Sequence, residues 1–321
     1  MSSRPGFLCP YCGQHKLGAE RSTEHVLPAA LGCELTTAEV CHDCNQRAGR
    51  EIDDPFCREL WMHEMRHRHQ VPDRRGDVPG PPVVSGTLKS DGSRILAILD
   101  RGGWWAKVIP TEEWTDAKTL QFRVDPADAP EAVAKKLNRL QKSTGKTVSL
   151  ASQVPSSEEH PEVELKIKHS IVAWPRMGLK VALAVARREL DDTFLLSPAA
   201  DWMRRAMWGD LALPAPAGVG VNRHVLGEAL DETSRLAQQP PEHQLMLLRG
   251  RNGVGVMYTL FGEVRYGVQL GPSATITAPT VWLLEPIGRT VNRLTWVEWE
   301  SILGNRLVAK LEGGKIRPPS S

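Results

Sequence analysis

Cys9-Pro10-Tyr11-Cys12 and Cys41-His42-Asp43-Cys44 stand on either side of Glu24-His25, and the second pair runs straight into Asn45. Four thiolates at paired CxxC spacing suit a closed tetrahedral zinc site with bonds of about 2.3 Å. Residues 13–40 give enough chain for one knuckle to fold back on the other. Such a site does not by itself imply catalysis, because a zinc ribbon or knuckle also serves to bind nucleic acid or protein. The residues beside it carry a different chemistry. Histidine suits general-base work near neutral pH, its unperturbed pKa being about 6.5. The Glu24 carboxylate and the Asn45 amide oxygen make a hard-oxygen pair suited to Mg²⁺ or Mn²⁺. Neighbours in a strand point to opposite faces, so Glu24 and His25 share a metal centre only if the strand ends or bends there.

CPYCG, then STEHVLPAALG, then VCHDCNQRAGREID resembles the HNH endonuclease superfamily, the ββα-metal or His-Me finger nucleases. The likeness is to the branch with four zinc cysteines and a Cys-x-x-Cys-Asn ending, and it spans about residues 6–57 of the chain. It implies two antiparallel strands and a helix around a catalytic divalent metal. By position it also implies His25 as the base that activates water, with Glu24 and Asn45 as ligands of Mg²⁺ or Mn²⁺. The implied activity is hydrolysis of DNA phosphodiester bonds. In that chemistry the metal polarises the phosphate and stabilises the leaving 3′-oxygen.

Two departures from the pattern stand out. Between His25 and Cys44 there is no asparagine to hold the imidazole, which leaves a backbone carbonyl, Thr36, Thr37 or Glu39 as the orienting group. Gly32-Cys33 also stands where relatives often carry Gly-Gly. Asp53 is either a further acid near the metal or, with Asp54, a helix cap. Arg47 and Arg50, one turn apart beyond Asn45, are candidate phosphate holders. Arg58, Arg66, Arg68, Arg74 and Arg75, with His63, His67 and His69, form a candidate stripe along a DNA backbone. The alternative reading keeps the zinc staple but makes the chain a DNA-binding or regulatory protein with an inactive HNH site.

The elements that must position these residues are short. Residues 1–50 are too few and too polar to bury a core unaided, so the metal acts as the staple. Asp54-Pro55 starts a helix whose stripe is Phe56, Leu60 and Met65, with Trp61, running to about Gln70. Val71–Pro82, rich in proline and glycine, is the expected linker. Alternating segments then predict strands at Val83–Lys89, Arg94–Asp100 and Trp104–Ile109. Helices are expected at Ala132–Lys142, Met177–Leu190, Ala199–Trp208 and Trp296–Leu303. Strands are expected within Val163–Trp174, then at Gln244–Arg249, Val254–Phe261, Glu263–Leu270 and Thr280–Glu285. The tryptophans Trp104, Trp105, Trp202, Trp208, Trp296 and Trp299 read as core rather than as base-stacking platforms. The expected class is α+β: a small zinc-stapled module at 1–71, a linker at 72–82 and a larger α+β domain at 83–321. Every residue with a chemical assignment lies within 1–71, so that segment is expected to carry the cleavage chemistry.

Composition narrows the setting. The 321-residue chain is 41% hydrophobic and 24% charged with a formal net charge of +2, values of an ordinary globular protein rather than a polycation. DNA contact would therefore rest on local clusters of positive charge. All six cysteines fall in the first 57 residues. The start, MSSRPGFLCPYCG, lacks the apolar run of a signal peptide, and no stretch of about 18 apolar residues is present to span a bilayer. A reducing cytoplasm with metal-bound thiolates is the expected setting.

Overall fold

The computed structural model describes residues 6–100, 103–114, 120–125, 128–144, 162–167, 170, 172–209, 212–222, 241–250 and 253–312. They gather into two compact units, one drawn from Met1–Gly80 with His169–Ser321 and one from Pro81–Lys168.

The first unit begins with two minimal strands, β1 (Phe7–Leu8) and β2 (His15–Lys16), around the first cysteine knuckle. β3 (Arg21–His25) and β4 (Thr36–Cys41) then form an antiparallel pair, and β4 runs directly into α1 (His42–Ala48). This is the two-strand and helix order the resemblance implies. A π-helical turn at Gly49–Asp53 leads into α2 (Asp54–Cys57) and α3 (Leu60–Arg68). The stripe expected through these helices holds at Phe56 and Met65, which are buried, and breaks at Trp61. Glu59 leaves helical geometry (φ −55°, ψ 135°), so α3 starts in a new phase. Met62 and Met65 are buried, while Trp61 is 53% exposed.

The second unit holds β5 (Val83–Leu88), β6 (Arg94–Asp100), β7 (Gly103–Val108), the hairpin of β8 (Thr111–Trp114) and β9 (Leu120–Arg123), α4 (Ala129–Thr144) and β10 (Val163–Leu165). Its four-stranded sheet has the order β10-β5-β6-β7, with Val84, Ile95 and Ala97 buried. The tryptophans of edge strand β7, Trp104 and Trp105, are 43% and 50% exposed rather than core. Trp104 and Trp105 are consecutive in β7 and point to opposite faces of the edge strand, both of them open among the described residues.

The chain returns to the first unit with α5 (Ala173–Glu189), α6 (Asp192–Leu195) and α7 (Pro198–Trp208). Ser197 caps α7 through its hydroxyl and Pro198 opens it, the arrangement expected of an N-cap followed by proline. β11 (Val219–Asn222), β12 (His243–Gly250), β13 (Gly253–Leu260), β14 (Val264–Gly271), β15 (Thr280–Glu285) and β16 (Thr290–Thr295) form an antiparallel sheet ordered β11-β14-β13-β12-β15-β16. α8 (Trp296–Glu312) runs nine residues past its expected end at Leu303.

One buried cluster unites these pieces. Phe7, Leu8, Tyr11, Val26, Leu27, Val40 and Phe56 share it with Met177 to Ala186 of α5, Met203 of α7, and Tyr258 and Val268 of the sheet. The apolar faces that 1–80 cannot satisfy internally are thus closed by the segment that follows residue 169. Gly178 lets α5 lie hard against the sheet: a Cβ there would sit 2.7 Å from the ring of Tyr266.

Candidate active site

The two cysteine knuckles hold the small strands. Cys9 accepts an N–H from Gly13, which sits at φ +68°, a conformation open to glycine. Cys41 ends β4 and is the N-cap of α1, and Cys44 follows in the first helical turn. A tetrahedron with arms of about 2.3 Å has edges of about 3.8 Å. The sulfurs of Cys9, Cys12, Cys41 and Cys44 all lie within 4.8 Å of one another. Sulfurs this close disturb each other's protons: their mutual hydrogen bonds push Cys12 down to about 2 and Cys9 up to about 12. The donor set fits a structural zinc, which would join the first knuckle to the β4–α1 junction. Cys33 is fully buried, with its thiol directed to the Leu35 carbonyl, and is not among the four.

β3 carries Glu24 and His25 on opposite sides, as strand geometry requires. The β3–β4 register is irregular between Ser22 and Glu24, with Glu24 opposite Thr37 and His25 opposite Thr36. Glu24 turns inward and is 3% exposed. Its Oε1 lies 2.7 Å from Nζ of Lys180, on α5, and accepts a 3.3 Å hydrogen bond from the Tyr11 hydroxyl. The same ammonium lies 3.0 Å from Asp53 Oδ1 and donates at 2.7 Å to the backbone carbonyl of His25. Asp53 sits at the N-cap position of α2 without a side-chain cap hydrogen bond, and its side chain, 20% exposed, is the second acid around Lys180.

Burial raises the pKa of Glu24 and of Asp53, and Lys180 offsets only part of this. Burial alone would lower Lys180, yet Asp53 and Glu24 outweigh it and leave the ammonium above its ordinary value. These directions are mutually consistent. One ammonium stays charged between two carboxylates, and it cannot neutralise both.

His25 turns outward, its side chain 15% exposed. Nη2 of Arg74 lies 2.9 Å from the ring nitrogens, and Oε2 of Glu34 lies 3.8 Å from Nε2. Arg289 secures Glu34 at 2.7 Å and donates to the Asp73 carbonyl at 2.8 Å, drawing the 72–74 segment over the ring. Burial lowers the His25 pKa first, and Arg74, Lys180 and Arg289 add to the shift against Glu34. The imidazole is thus neutral at neutral pH, the form a general base needs. Of the orienting groups expected for it, Glu39 is taken by Arg21 and Arg187, and the Thr36 carbonyl by Arg188. The carboxylate that faces the ring is Glu34, which a search restricted to 36–39 passes over.

Asn45, on α1, donates its amide nitrogen to Ser22 Oγ at 2.6 Å and to the Thr23 carbonyl at 2.9 Å. It therefore pins α1 to the irregular part of β3. A divalent ion held jointly by Glu24 and Asn45 does not fit this arrangement, because the Glu24 carboxylate is already spent on an ammonium in the interior. The sequence signal for Lys180 is faint: a lone lysine within the apolar run Leu179–Ala186.

The basic residues are largely engaged within the protein. Arg47 pairs with Glu51 at 2.9 Å and lies 4.1 Å over the Trp208 ring, and Arg50, 74% exposed, also pairs with Glu51. Arg58 pairs with Asp54, and Arg68 and His69 with Glu263. His63 and His67 contact the carbonyls of Gly80 and Pro79. Arg74 alone of the expected stripe stands at His25. No helix among the described residues is long and apolar enough to cross a membrane.

No curated protein and no solved structure matches the chain. Residues 9–61, which span both zinc knuckles and the β3–β4–α1 unit between them, match the family model described as HNH endonuclease.

Proposed function

We propose that this protein is an endonuclease that hydrolyses phosphodiester bonds in DNA, with His25 as the general base. The observation that carries the reading is His25 itself. It occupies the base position of the HNH motif, is held neutral, and stands beside Arg74 with Arg289 close by. His25 takes a proton from water as the water attacks phosphorus, the P–O bond to the 3′-oxygen breaks, and the departing 3′-oxygen takes a proton from solvent. Arg74 supplies positive charge where the phosphate gathers negative charge in the transition state. Asn45 keeps α1 against β3, and so fixes the strand from which the imidazole projects. Arg50 offers an exposed guanidinium to a flanking phosphate. Glu24, committed to Lys180, is not free to hold Mg²⁺ or Mn²⁺ for this step.

The same commitment favours a second reading: a zinc-stapled DNA-binding or regulatory protein whose HNH site is inactive. A plasmid-nicking assay with Mg²⁺, with Mn²⁺ and with EDTA separates the two. The nuclease reading expects nicking by the wild type, and a loss of about 10²–10⁴-fold in His25→Ala with zinc content and DNA binding kept. Binding without cleavage under every metal condition would leave the second reading standing.

A further inference from the structure

Lys180 is the residue that changes the chemistry of this site. Its ammonium is fully buried, and its three N–H groups meet three acceptors: Glu24 Oε1 at 2.7 Å, the His25 carbonyl at 2.7 Å and Asp53 Oδ2 at 3.2 Å. Two carboxylates and a backbone carbonyl are a hard-oxygen set of the kind that holds a divalent cation. Here the oxygens stand at N–H···O spacing around nitrogen, well beyond the 2.0–2.1 Å or so that Mg²⁺ requires. Lys180 has no exposed surface and the Glu24 side chain is 4% exposed, while the Asp53 side chain keeps 20% of its surface toward solvent. Leu179, Val181, Ala182, Leu183 and Ala184, around Lys180 on α5, have no exposed surface, so an expelled ammonium has only apolar surroundings to enter. A divalent ion would have to share the cage with a positive charge or drive that charge into the core, and both are costly.

We propose that Lys180 is a built-in cation that takes the place of a divalent metal on Glu24 and makes Lys180 a positioning residue for His25. The proposal rests on the hydrolytic reading of the site. Because Nζ is sealed from solvent, it cannot touch a phosphate; it acts through what it holds. It grips the carbonyl of His25 itself, and so sets the backbone from which the imidazole departs. It also anchors Glu24, the strand neighbour of His25, with Tyr11 fixing the same carboxylate oxygen from the other side. The Asp53 contact ties this grip to the π-helical turn after α1. The metal's structural task is thereby given to a side chain from a distant part of the chain.

The test follows Mn²⁺ uptake by electron paramagnetic resonance on full-length, zinc-loaded protein, beside plasmid nicking in buffer free of other divalent ions. Wild type and Glu24→Gln should take up Mn²⁺ identically, since Glu24 offers it no site. Lys180→Met should gain one Mn²⁺ site, and Lys180→Met/Glu24→Gln should lose it again. In nicking, Lys180→Met without Mn²⁺ should lose roughly 10²-fold in kcat with KM kept, the size of effect that misplacing a reacting group produces. Added Mn²⁺ should restore at least part of it, which a merely structural lysine would not allow. Mn²⁺ uptake by the wild type that Glu24→Gln abolishes overturns the proposal, and so does a folded Lys180→Met that gains no site. Should Lys180→Met fail to fold, the comparison of wild type with Glu24→Gln still decides it. If no protein nicks DNA under any condition, the hydrolytic reading fails, while Mn²⁺ uptake continues to report on the cage.

Discussion

His243 shows how a single buried side chain ties the site module to the sheet. It has no exposed surface, its Nε2 lies 2.8 Å from the Leu31 carbonyl, and its Nδ1 accepts the Phe261 N–H at 2.9 Å. Nδ1 is thus an acceptor and Nε2–H a donor, a division only the neutral ring can make. Burial lowers the pKa to about 4, against the partly opposing pull of the Leu31 carbonyl. Unfolding returns the ring to about 6.5, so between those values the unfolded chain binds the extra proton. Stability is therefore full above about pH 6.5 and falls as the pH drops toward 4, by about 3 kcal/mol at the lower end. His243→Gln keeps a donor and an acceptor without the titration. Its melting temperature should decline less steeply than that of the wild type between pH 6.5 and 4. Parallel declines would show that His243 does not titrate on unfolding.

At the scale of elements, the packing of α5 decides whether His25 is held. Gly178 brings that helix onto β14, where an added methyl group would meet the Tyr266 ring at 2.7 Å and Val268 at 3.1 Å. Ala in place of Gly favours the helix by about 1 kcal/mol, while overpacking a filled core costs about 1–3 kcal/mol. The ring is buried and cannot swing clear, so Gly178→Ala should destabilise the protein on balance, as read by urea denaturation. A stabilised variant would mean that α5 has room to shift. The zinc knuckles hold the opposite side. Cys41→Ser removes a ligand at the point where β4 becomes α1, and should release the zinc and lower the melting temperature, as elemental analysis and calorimetry would show. Much of this was legible in the chain. The CxxC pairs, the hairpin of β5 and β6 and the run of late strands follow from spacing and alternation, while the β3–β4–α1 order is what the family resemblance implies. What escaped is what local pattern cannot carry. The break at Glu59 moved Met62 inward and Trp61 outward. Lys180 sits in an apolar helix, where its partners, Glu24 and Asp53, are more than a hundred residues away in sequence.

At the scale of the whole molecule, His25 and the four zinc cysteines lie in 1–71, but Arg74 and the contacts that hold the site do not. Lys180 reaches Glu24 and the His25 carbonyl from α5, Arg289 holds Glu34 and the 72–73 carbonyls, and His243 holds Leu31. The apolar side of the small module is closed by α5, α7 and the six-stranded sheet within one cluster. A fragment of 1–71 therefore loses both its cover and its internal cation. Glu24 and Asp53 would be left with no ammonium, and Val26, Leu27 and Phe56 would face water. Such a fragment should bind zinc through its four cysteines yet remain loosely packed, bind an apolar dye and fail to nick DNA. The complementary variant replaces residues 81–168 with a flexible glycine-serine linker, which leaves the compact unit of Met1–Gly80 with His169–Ser321 intact. It should melt cooperatively, retain one zinc and keep the nicking rate of the full chain within a few-fold. Nicking by the 1–71 fragment at the full-length rate would show that α5 is dispensable to the site. Loss of folding in the linker variant would show that residues 81–168 stabilise the unit that carries His25.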